Sequence, residues 1–275
     1  TVTALSTLAT GLTPQEHGML GFRMFLRELG HVTNMLRFGP SMGIGSFADM
    51  GIDPEIFFPF RTLFHQLRRR GVKPFILNKV DYLESPLSQM LYRGGEVVPY
   101  LNLPDLLVKA ERLLKIRGRK FLYLYWDMID LVSHRFGPGS PELAGEVRSL
   151  DTLVGTFLHR LRLKDTLFLL TADHGLVTTP RKAVVDLGRH RKLIELLDCP
   201  PSGESRLLYF HARKGKAGKV KEYLEGHFSK QAEVMESREL LERGVFGTGK
   251  PFPEAIRRLG DLVLIVTSVL ASFAL

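Results

Sequence analysis

Apolar and polar positions follow two periods along the chain, one typical of strands and one typical of helices. Short continuous apolar runs with the length of buried strands occupy residues 75–77, 121–126 and 166–170. Segments whose apolar residues suit a helix, several of them closed by a glycine, occupy residues 1–10, 57–70, 103–116 and 141–161. Alternating strands and helices predict an α/β fold with a mostly parallel central sheet and helices on both faces.

The pattern changes after residue 180, where the predicted elements become shorter. Strands are predicted at residues 207–210 and 232–235, and helices at residues 218–228 and 239–243. We therefore predict an α/β core over residues 1–180 and a smaller α/β lobe or insertion over residues 181–275. The smaller lobe would return to the core sheet near residues 261–267.

The apolar run at residues 262–275 carries no charge but is shorter than the roughly 20 residues that span a bilayer. We expect a buried strand followed by a frayed tail, and no transmembrane anchor. No signal peptide is visible, which slightly favours a cytoplasmic location. The chain begins at Thr1 without Met, however, so its start says nothing firm about a leader.

Composition narrows the classes of partner. The 275 residues include 38 Lys and Arg against 29 Asp and Glu, a formal net charge of +9, which favours anionic partners. Basic clusters at residues 68–70, 115–120 and 213–221 make nucleic-acid binding an alternative, but they are scattered over three segments, and the last has no obvious interleaved stacking aromatics. The single cysteine, Cys199, excludes an internal disulfide and a Cys-rich zinc site. Histidines and carboxylates remain as metal ligands.

Acidic residues and histidines follow two of the predicted strands. Asp173 and His174 come directly after the apolar run at 166–170, and Asp130 and His134 follow the run at 121–126. Asp130 and His134 are four residues apart, which places them on one face of a helix. Ligands in open α/β sheets bind beyond the carboxyl ends of the strands. Oxygen and nitrogen donors without thiolate suit zinc, manganese or a similar divalent ion, although spacing alone leaves capping or solvated roles equally open.

Three motifs in order resemble those of the type I phosphodiesterase and nucleotide pyrophosphatase family, within the alkaline phosphatase superfamily. Residues 1–18 read TVTALSTLATGLTPQEHG and are similar to the nucleophile segment, with Thr1 at the nucleophile's place. The second motif, Asp-x-x-x-His-x-x-Gly-Pro, matches Asp130, His134 and the Gly-Pro at 137–138. The third, Asp-His-Gly, matches residues 173–175.

The resemblance implies an alkaline-phosphatase-like fold and a phosphoryl-transfer site with two divalent ions, zinc first and manganese as an alternative. Asp130 and His134 would hold one ion, whereas Asp173 and His174 would hold the other together with Thr1. A metal-bound Thr hydroxyl at a helix N-terminus would attack phosphorus and form a phosphothreonine. The implied substrate is a phosphate ester or a nucleotide-like small molecule.

The chain departs from the family pattern at several points. The family's first metal-binding Asp lies upstream of the nucleophile, and its last metal-binding His follows a strand such as the one predicted after Asp261, so we expect a fragment with weak or no activity. Phe22 stands where nucleotide-specific members carry an Asn, which leaves Asn34 as a substrate-binding candidate. Diesters, pyrophosphates, phosphonates and sulfates all remain open as substrates, and the oligomeric state is unknown.

Two alternatives stay open at this point. An N-terminal Thr is also the nucleophile of N-terminal-nucleophile hydrolases, although the helix predicted after Thr1 disfavours that class. Residues 244–251 have the spacing of a phosphate-binding glycine-rich loop, but a helix precedes them and Pro251 replaces the hydroxyl residue. The simpler interpretation of these residues is a glycine-rich turn.

Overall fold

A computed structural model describes residues 1–161, 165–268 and 271–274. Its contacts divide the chain into two compact units, residues 1–60 with 179–275 (unit 1) and residues 61–178 (unit 2). This division differs from the predicted core at 1–180 and lobe at 181–275. One border falls near residue 180, but the first 60 residues group with the C-terminal segment because their first strand pairs with it, Arg23 opposite Gly203.

The elements follow in chain order. The α-helices are α1 (Val2–Thr10), α2 (Pro14–His17), α3 (Leu63–Arg69), α4 (Pro86–Leu91), α5 (Leu103–Leu114), α6 (Met128–Phe136), α7 (Pro141–Leu161), α8 (Arg191–Ile194), α9 (Ala217–Phe228), α10 (Ser237–Glu242) and α11 (Ala255–Leu259). The strands are β1 (Arg23–Leu26), β2 (His31–Asn34), β3 (Gly39–Pro40), β4 (Lys73–Lys79), β5 (Glu96–Tyr100), β6 (Lys120–Leu124), β7 (Val184–Asp186), β8 (Ser202–Glu204), β9 (Leu207–Phe210), β10 (Ala232–Glu236), β11 (Leu262–Val266) and β12 (Ser272–Ala274). Short 3₁₀ turns occupy Pro54–Phe57, Val80–Tyr82, Arg181–Ala183 and Leu187–Arg189.

Unit 1 contains a seven-stranded sheet in the order β10-β11-β9-β8-β1-β2-β3. Every neighbouring pair in it is antiparallel, so the prediction of a mostly parallel central sheet is wrong. The connections explain the direction: only Ser205 and Arg206 join β8 to β9, and residues 27–30 join β1 to β2. Connections this short permit antiparallel pairing alone, because a parallel crossover needs about a dozen residues.

Unit 2 contains a parallel sheet in the order β5-β4-β6, with α4 and α5 in its crossovers. The strand predicted at 75–77 is confirmed within β4, the strand predicted at 121–126 is confirmed as β6 over residues 121–124, and α7 has its predicted bounds. The helix predicted at 57–70 is shorter than expected, since α3 begins at Leu63 after Pro59. The core packs Phe75 and Leu77 of β4 against Leu106 of α5 and Phe157 of α7.

The strand predicted at residues 166–170 is wrong. These residues have no regular structure, and Leu167, Leu169 and Leu170 are 82%, 79% and 74% exposed. A strand requires a hydrogen-bonded neighbour, and no sheet pairing in the described ranges includes this segment. Apolar composition alone therefore does not make it a strand.

The C-terminal half of unit 1 has its own apolar core, in which β9, β11 and α9 contribute Leu208, Leu264 and Leu224, each fully buried. The predicted strands and helices over residues 207–243 are confirmed with bounds shifted by at most two residues. The prediction of a frayed tail is wrong for residues 272–274. These residues form β12, which pairs in parallel with β7 and buries Phe273. Among the described residues, no helix is both long enough and apolar enough to cross a membrane.

Candidate active site

Thr1 stands at the N-cap of α1, as the motif predicts. Its carbonyl accepts the first helical hydrogen bond from the Leu5 backbone N–H (2.9 Å), and its side chain does not make the usual N-cap hydrogen bond. The helix ends at Gly11, whose φ of 72° is left-handed. The backbone N–H groups of the first helical turn have no intrahelical acceptor, so they create a positive field beside Thr1.

His17 of the same motif has a structural role. Its ring is fully buried, and Nε2 lies 3.0 Å from the Thr7 hydroxyl of α1, which ties α2 to α1. Burial lowers the pKa of His17 to about 4. The neutral ring therefore holds α1 in place without being exposed for metal binding.

In unit 2 the structure brings together the four side chains that the second and third motifs supply. Asp130 and His134 lie one turn apart on α6, with Asp130 Oδ1 3.3 Å from His134 Nε2. The same Asp130 oxygen lies 3.7 Å from His174 Nε2, which in turn is 3.4 Å from Asp173 Oδ2. Two carboxylates and two imidazoles thus face one another, although Asp173 and His174 lie on a loop rather than after a strand.

The donor chemistry of this cluster fits a divalent cation. Asp130 Oδ1 is buried and makes no hydrogen bond, although it faces two imidazole nitrogens. A buried carboxylate oxygen without a directed hydrogen bond is costly unless a cation compensates it. The donors are incomplete as arranged, because no set of three or more His, Cys, Asp or Glu side chains in the described ranges forms a metal-binding group.

Asp127 lies at the N-cap of α6, three residues before Asp130 in the sequence. Its carboxylate is buried; Oδ2 accepts a hydrogen bond from the Tyr82 hydroxyl (2.5 Å) and lies 3.4 Å from Lys79 Nζ. Burial together with this carboxylate raises the pKa of Tyr82. Asp127 Oδ2 is thus paired with a phenol and an ammonium group, whereas Asp127 Oδ1, like Asp130 Oδ1, is buried without a hydrogen bond.

Lys79 and Tyr82 were not identified from the sequence. Their only sequence signal is that a Lys ends the apolar run of β4 and a Tyr follows three residues later. Their approach to Asp127 depends on the parallel pairing of β4 with β6, a long-range contact.

Asn34 ends β2, and its Oδ1 accepts hydrogen bonds from the backbone N–H groups of Leu36 (3.0 Å) and Arg37 (3.4 Å). This carboxamide oxygen closes a turn. A substrate-binding role for Asn34 stays a prediction.

The glycine-rich residues 244–251 pack against α2. The Phe246 carbonyl accepts from Gln15 N–H (2.9 Å), and the Gly249 carbonyl accepts from the Gln15 side chain. A methyl group at Gly247 would lie 2.2 Å from the Thr13 side chain. The segment is therefore the glycine-rich turn favoured by the sequence.

Comparison with known proteins finds curated relatives of similar sequence. The chain is 26% identical over 217 residues to rat ectonucleotide pyrophosphatase/phosphodiesterase family member 7, covering 72% of this chain and 46% of that protein. The chain thus spans about half the length of that curated relative.

Solved structures share the fold at low sequence identity. An inactive Thr-to-Ala variant of murine ectonucleotide pyrophosphatase/phosphodiesterase 5 in complex with AMP has a TM-score of 0.69 at 20% identity, covering 98% of this chain and 67% of that one. Phosphonoacetate hydrolase from Sinorhizobium meliloti 1021 in complex with phosphonoformate has a TM-score of 0.67 at 16% identity, covering 100% and 71%.

The family to which the chain belongs is shown by a match to a family profile rather than by single relatives. The sequence profile described as type I phosphodiesterase / nucleotide pyrophosphatase matches residues 1–271, almost the whole chain. The match includes all three motifs identified above. The chain belongs to the type I phosphodiesterase / nucleotide pyrophosphatase family.

Proposed function

We propose that the protein is a metal-dependent hydrolase of phosphodiester or pyrophosphate bonds that acts through a phosphothreonine on Thr1. The observation that carries the proposal is the convergence of Asp130, His134, Asp173 and His174, with contacts of 3.3 to 3.7 Å, in a chain of this family. Two metal ions, zinc in the first place and manganese as the alternative, are its cofactors.

Asp130 and His134 would hold one ion, and Asp173 and His174 would hold the other together with the Thr1 hydroxyl. When bound, the two ions lower the pKa of the nucleophile and stabilise charge on the attacking and leaving oxygens. The carboxylates balance that positive charge. Asp127 positions α6 through Tyr82 and Lys79 and remains outside the ligand set.

Thr1 is suited to nucleophilic attack by its position at the start of α1. Its Oγ1 would form a bond to phosphorus while the bond from phosphorus to the leaving oxygen breaks, and the Thr proton would pass to water. A second water would then attack phosphorus, the bond from phosphorus to Oγ1 would break, and the phosphate product would leave as Oγ1 takes up a proton from water. The first-turn N–H groups of α1 are oriented to donate to a phosphate oxygen, which would favour the charge that develops during both steps.

The relatives support this choice of chemistry and indicate a substrate class. A Thr-to-Ala replacement accompanies inactivity in the murine relative, and that protein binds AMP, which makes a nucleotide-like phosphate ester the first substrate to test. The phosphonoacetate hydrolase shares the fold, so phosphonates are the second class to test.

The test measures hydrolysis of bis-p-nitrophenyl phosphate with added zinc or manganese, for this chain and for its full-length gene product. Replacement Thr1→Ala should abolish metal-dependent turnover, and trapped phosphothreonine, still esterified to one p-nitrophenol, should be detected by mass spectrometry in wild type alone. Unchanged turnover in Thr1→Ala would exclude Thr1 as the nucleophile.

The metal ligands are tested separately by zinc competition with a chromogenic chelator. Asp130→Asn should weaken zinc binding at least about tenfold, because it removes the anionic oxygen that faces both imidazoles. Asp151→Asn on the exposed surface of α7 is the matched control and should leave zinc binding unchanged. Equal losses in the two variants would contradict the assignment of Asp130.

A further inference from the structure

A second cluster of cationic and aromatic side chains lies in unit 1, outside the proposed catalytic residues. Its cleft has a volume of about 510 Å³. The lining side chains are Arg189, His190, Arg191, Lys192, Tyr223 and His227, here called the basic cleft. The first four are consecutive around the start of α8, and the other two lie one turn apart on α9.

The fixed charge of the basic cleft is positive. Arg189 is compensated by Asp186, with Nε 3.2 Å from Oδ2, but both side chains are largely exposed and such a pair is weak. Arg191 and Lys192 make no ion pair with any carboxylate in the described part of the chain. Two uncompensated cations therefore stand beside each other at one wall of the cleft.

The opposite wall is ordered by aromatic contacts. The Tyr223 and His227 rings stack with centroids 3.9 Å apart and planes 12° apart, and the His190 ring stands perpendicular to both. His190 Nδ1 is 3.0 Å from the Tyr223 hydroxyl, and His227 Nδ1 donates to the Tyr223 carbonyl (2.8 Å). Because these contacts already fix the three rings, an anion that binds beside them would cost little further side-chain entropy.

The His190 imidazole does not add to this charge at neutral pH. Burial, and secondly the neighbouring His227, lower the pKa of His190, whereas Asp186 opposes that shift. The fixed positive charge of the cleft comes from its arginines and lysine. A guanidinium beside an ammonium group matches the several oxygens of a phosphate better than it matches a monovalent halide.

We propose that the basic cleft binds a small anion that carries a phosphate group with two negative charges. The site is independent of Thr1 and of the Asp-His cluster, so its failure would leave the proposed hydrolase activity untouched. The same phosphate chemistry occurs in a free anion and in a lipid headgroup, and the experiment separates these sources.

The experiment titrates the full chain with inorganic pyrophosphate by calorimetry at pH 7, with EDTA present so that metal-bound phosphate does not contribute. Wild type should bind one equivalent saturably, and the double variant Arg191→Gln/Lys192→Gln should bind at least about tenfold more weakly. The matched control Lys214→Gln/Lys219→Gln removes the same charge from exposed lysines of unit 1 that do not line the cleft, and should stay within about twofold.

A second measurement, by NMR, locates the bound anion. The ring signals of His190 and His227 should shift on addition of pyrophosphate, and those of buried His17 should not. Sedimentation with phosphatidylcholine vesicles containing phosphatidic acid tests the lipid source: binding that is lost in the cleft variant but kept in the control supports the same site. The proposal is overturned by the absence of saturable pyrophosphate binding, or by equal weakening in the two double variants.

Discussion

The Nδ1 atom of His17 accepts a hydrogen bond from the backbone N–H of Met19 (3.0 Å), two residues along the chain. An accepting Nδ1 carries no proton, so the proton of the neutral ring resides on Nε2 and is donated to the Thr7 hydroxyl. Protonation of the ring would place a hydrogen on Nδ1, where it would face the backbone N–H of Met19 and the two donors would repel each other. This contact gives a geometric reason for the lowered pKa of His17 and makes the packing of α1 against α2 sensitive to pH.

Acidification is expected to destabilise the fold through His17. Its pKa is about 4 in the folded chain, against an ordinary 6.5, so the unfolded state binds the proton first as pH falls. The contribution of His17 to the free energy of unfolding is fully present above pH 6.5. It decreases as the pH falls towards 4, by up to about 3 kcal/mol in total. Urea unfolding at several pH values measures this, with His17→Gln as comparison.

In His17→Gln the free energy of unfolding should be lower at pH 7 but vary less between pH 6.5 and 4. The difference between the two proteins isolates His17 from other histidines, such as His211, whose pKa burial also lowers. Parallel pH profiles for the two proteins would rule out this role.

Removal of the buried guanidinium of Arg258 is expected to destabilise unit 1 strongly. Arg258 is 2% exposed, and it donates to the carbonyls of Gly18 (2.8 Å) and Phe57 (3.0 Å). Burial lowers its pKa to about 10, yet it stays charged at neutral pH. Arg258→Met would leave both carbonyls unsatisfied and should cost about 3 kcal/mol by chemical unfolding.

The neighbouring Arg257 provides the control for this substitution. Its side chain is largely exposed and pairs with Glu254 at 3.0 Å, an interaction worth less than about 1 kcal/mol. Arg257→Met should therefore change the free energy of unfolding little. A similar loss in both variants would attribute the effect to general charge rather than to the buried contacts.

The residues that carry the motifs could be predicted because each motif lies within a short segment whose residues meet through local structure. Asp130 and His134 need only one helical turn to meet, and the periodic pattern of α7 was long enough to define both its ends. The strands β1 and β2 could not be predicted in this way. Each has four residues, too few for a clear period, and their place in the sheet depends on Gly203, about 180 residues away.

The direction of the strands in unit 1 was predicted incorrectly for a related reason. Apolar runs separated by helical patterns indicate parallel pairing only where the intervening helix serves as the crossover, as α4 does between the paired strands β4 and β5. In unit 1 the pairing partners of β9 are β8, two residues before it, and β11, more than 50 residues after it. Sequence order therefore does not give spatial order in that sheet.

A side chain larger than hydrogen at Gly247 is expected to disrupt the packing of the glycine-rich turn on α2. The residue has a φ of 117°, and a Cβ would lie 2.2 Å from the Thr13 side chain. Gly247→Ala combines backbone strain with a steric clash and should cost about 2 to 4 kcal/mol. Gly218→Ala in α9, where a Cβ meets open space, is the control and should be neutral or stabilising by up to about 1 kcal/mol.

Thermal unfolding of the two glycine variants measures the contrast. A loss at Gly247 that is no larger than the change at Gly218 would show that the turn tolerates displacement. Stability, rather than phosphate affinity, is the property that Gly247→Ala should change, since the turn is occupied by contacts with α2.

A charged residue at position 169 distinguishes the observed loop from the strand that the sequence predicts. Leu169 is 79% exposed, so Leu169→Lys should change the free energy of unfolding by less than about 0.5 kcal/mol and should raise solubility by interrupting an exposed apolar run. Leu77→Lys in β4, where Leu77 is fully buried, is the contrasting substitution and should prevent stable folding of unit 2. Chemical unfolding and light scattering report the two properties. A loss of several kcal/mol in Leu169→Lys would mean that residues 166–170 are buried in solution, as the apolar pattern first indicated.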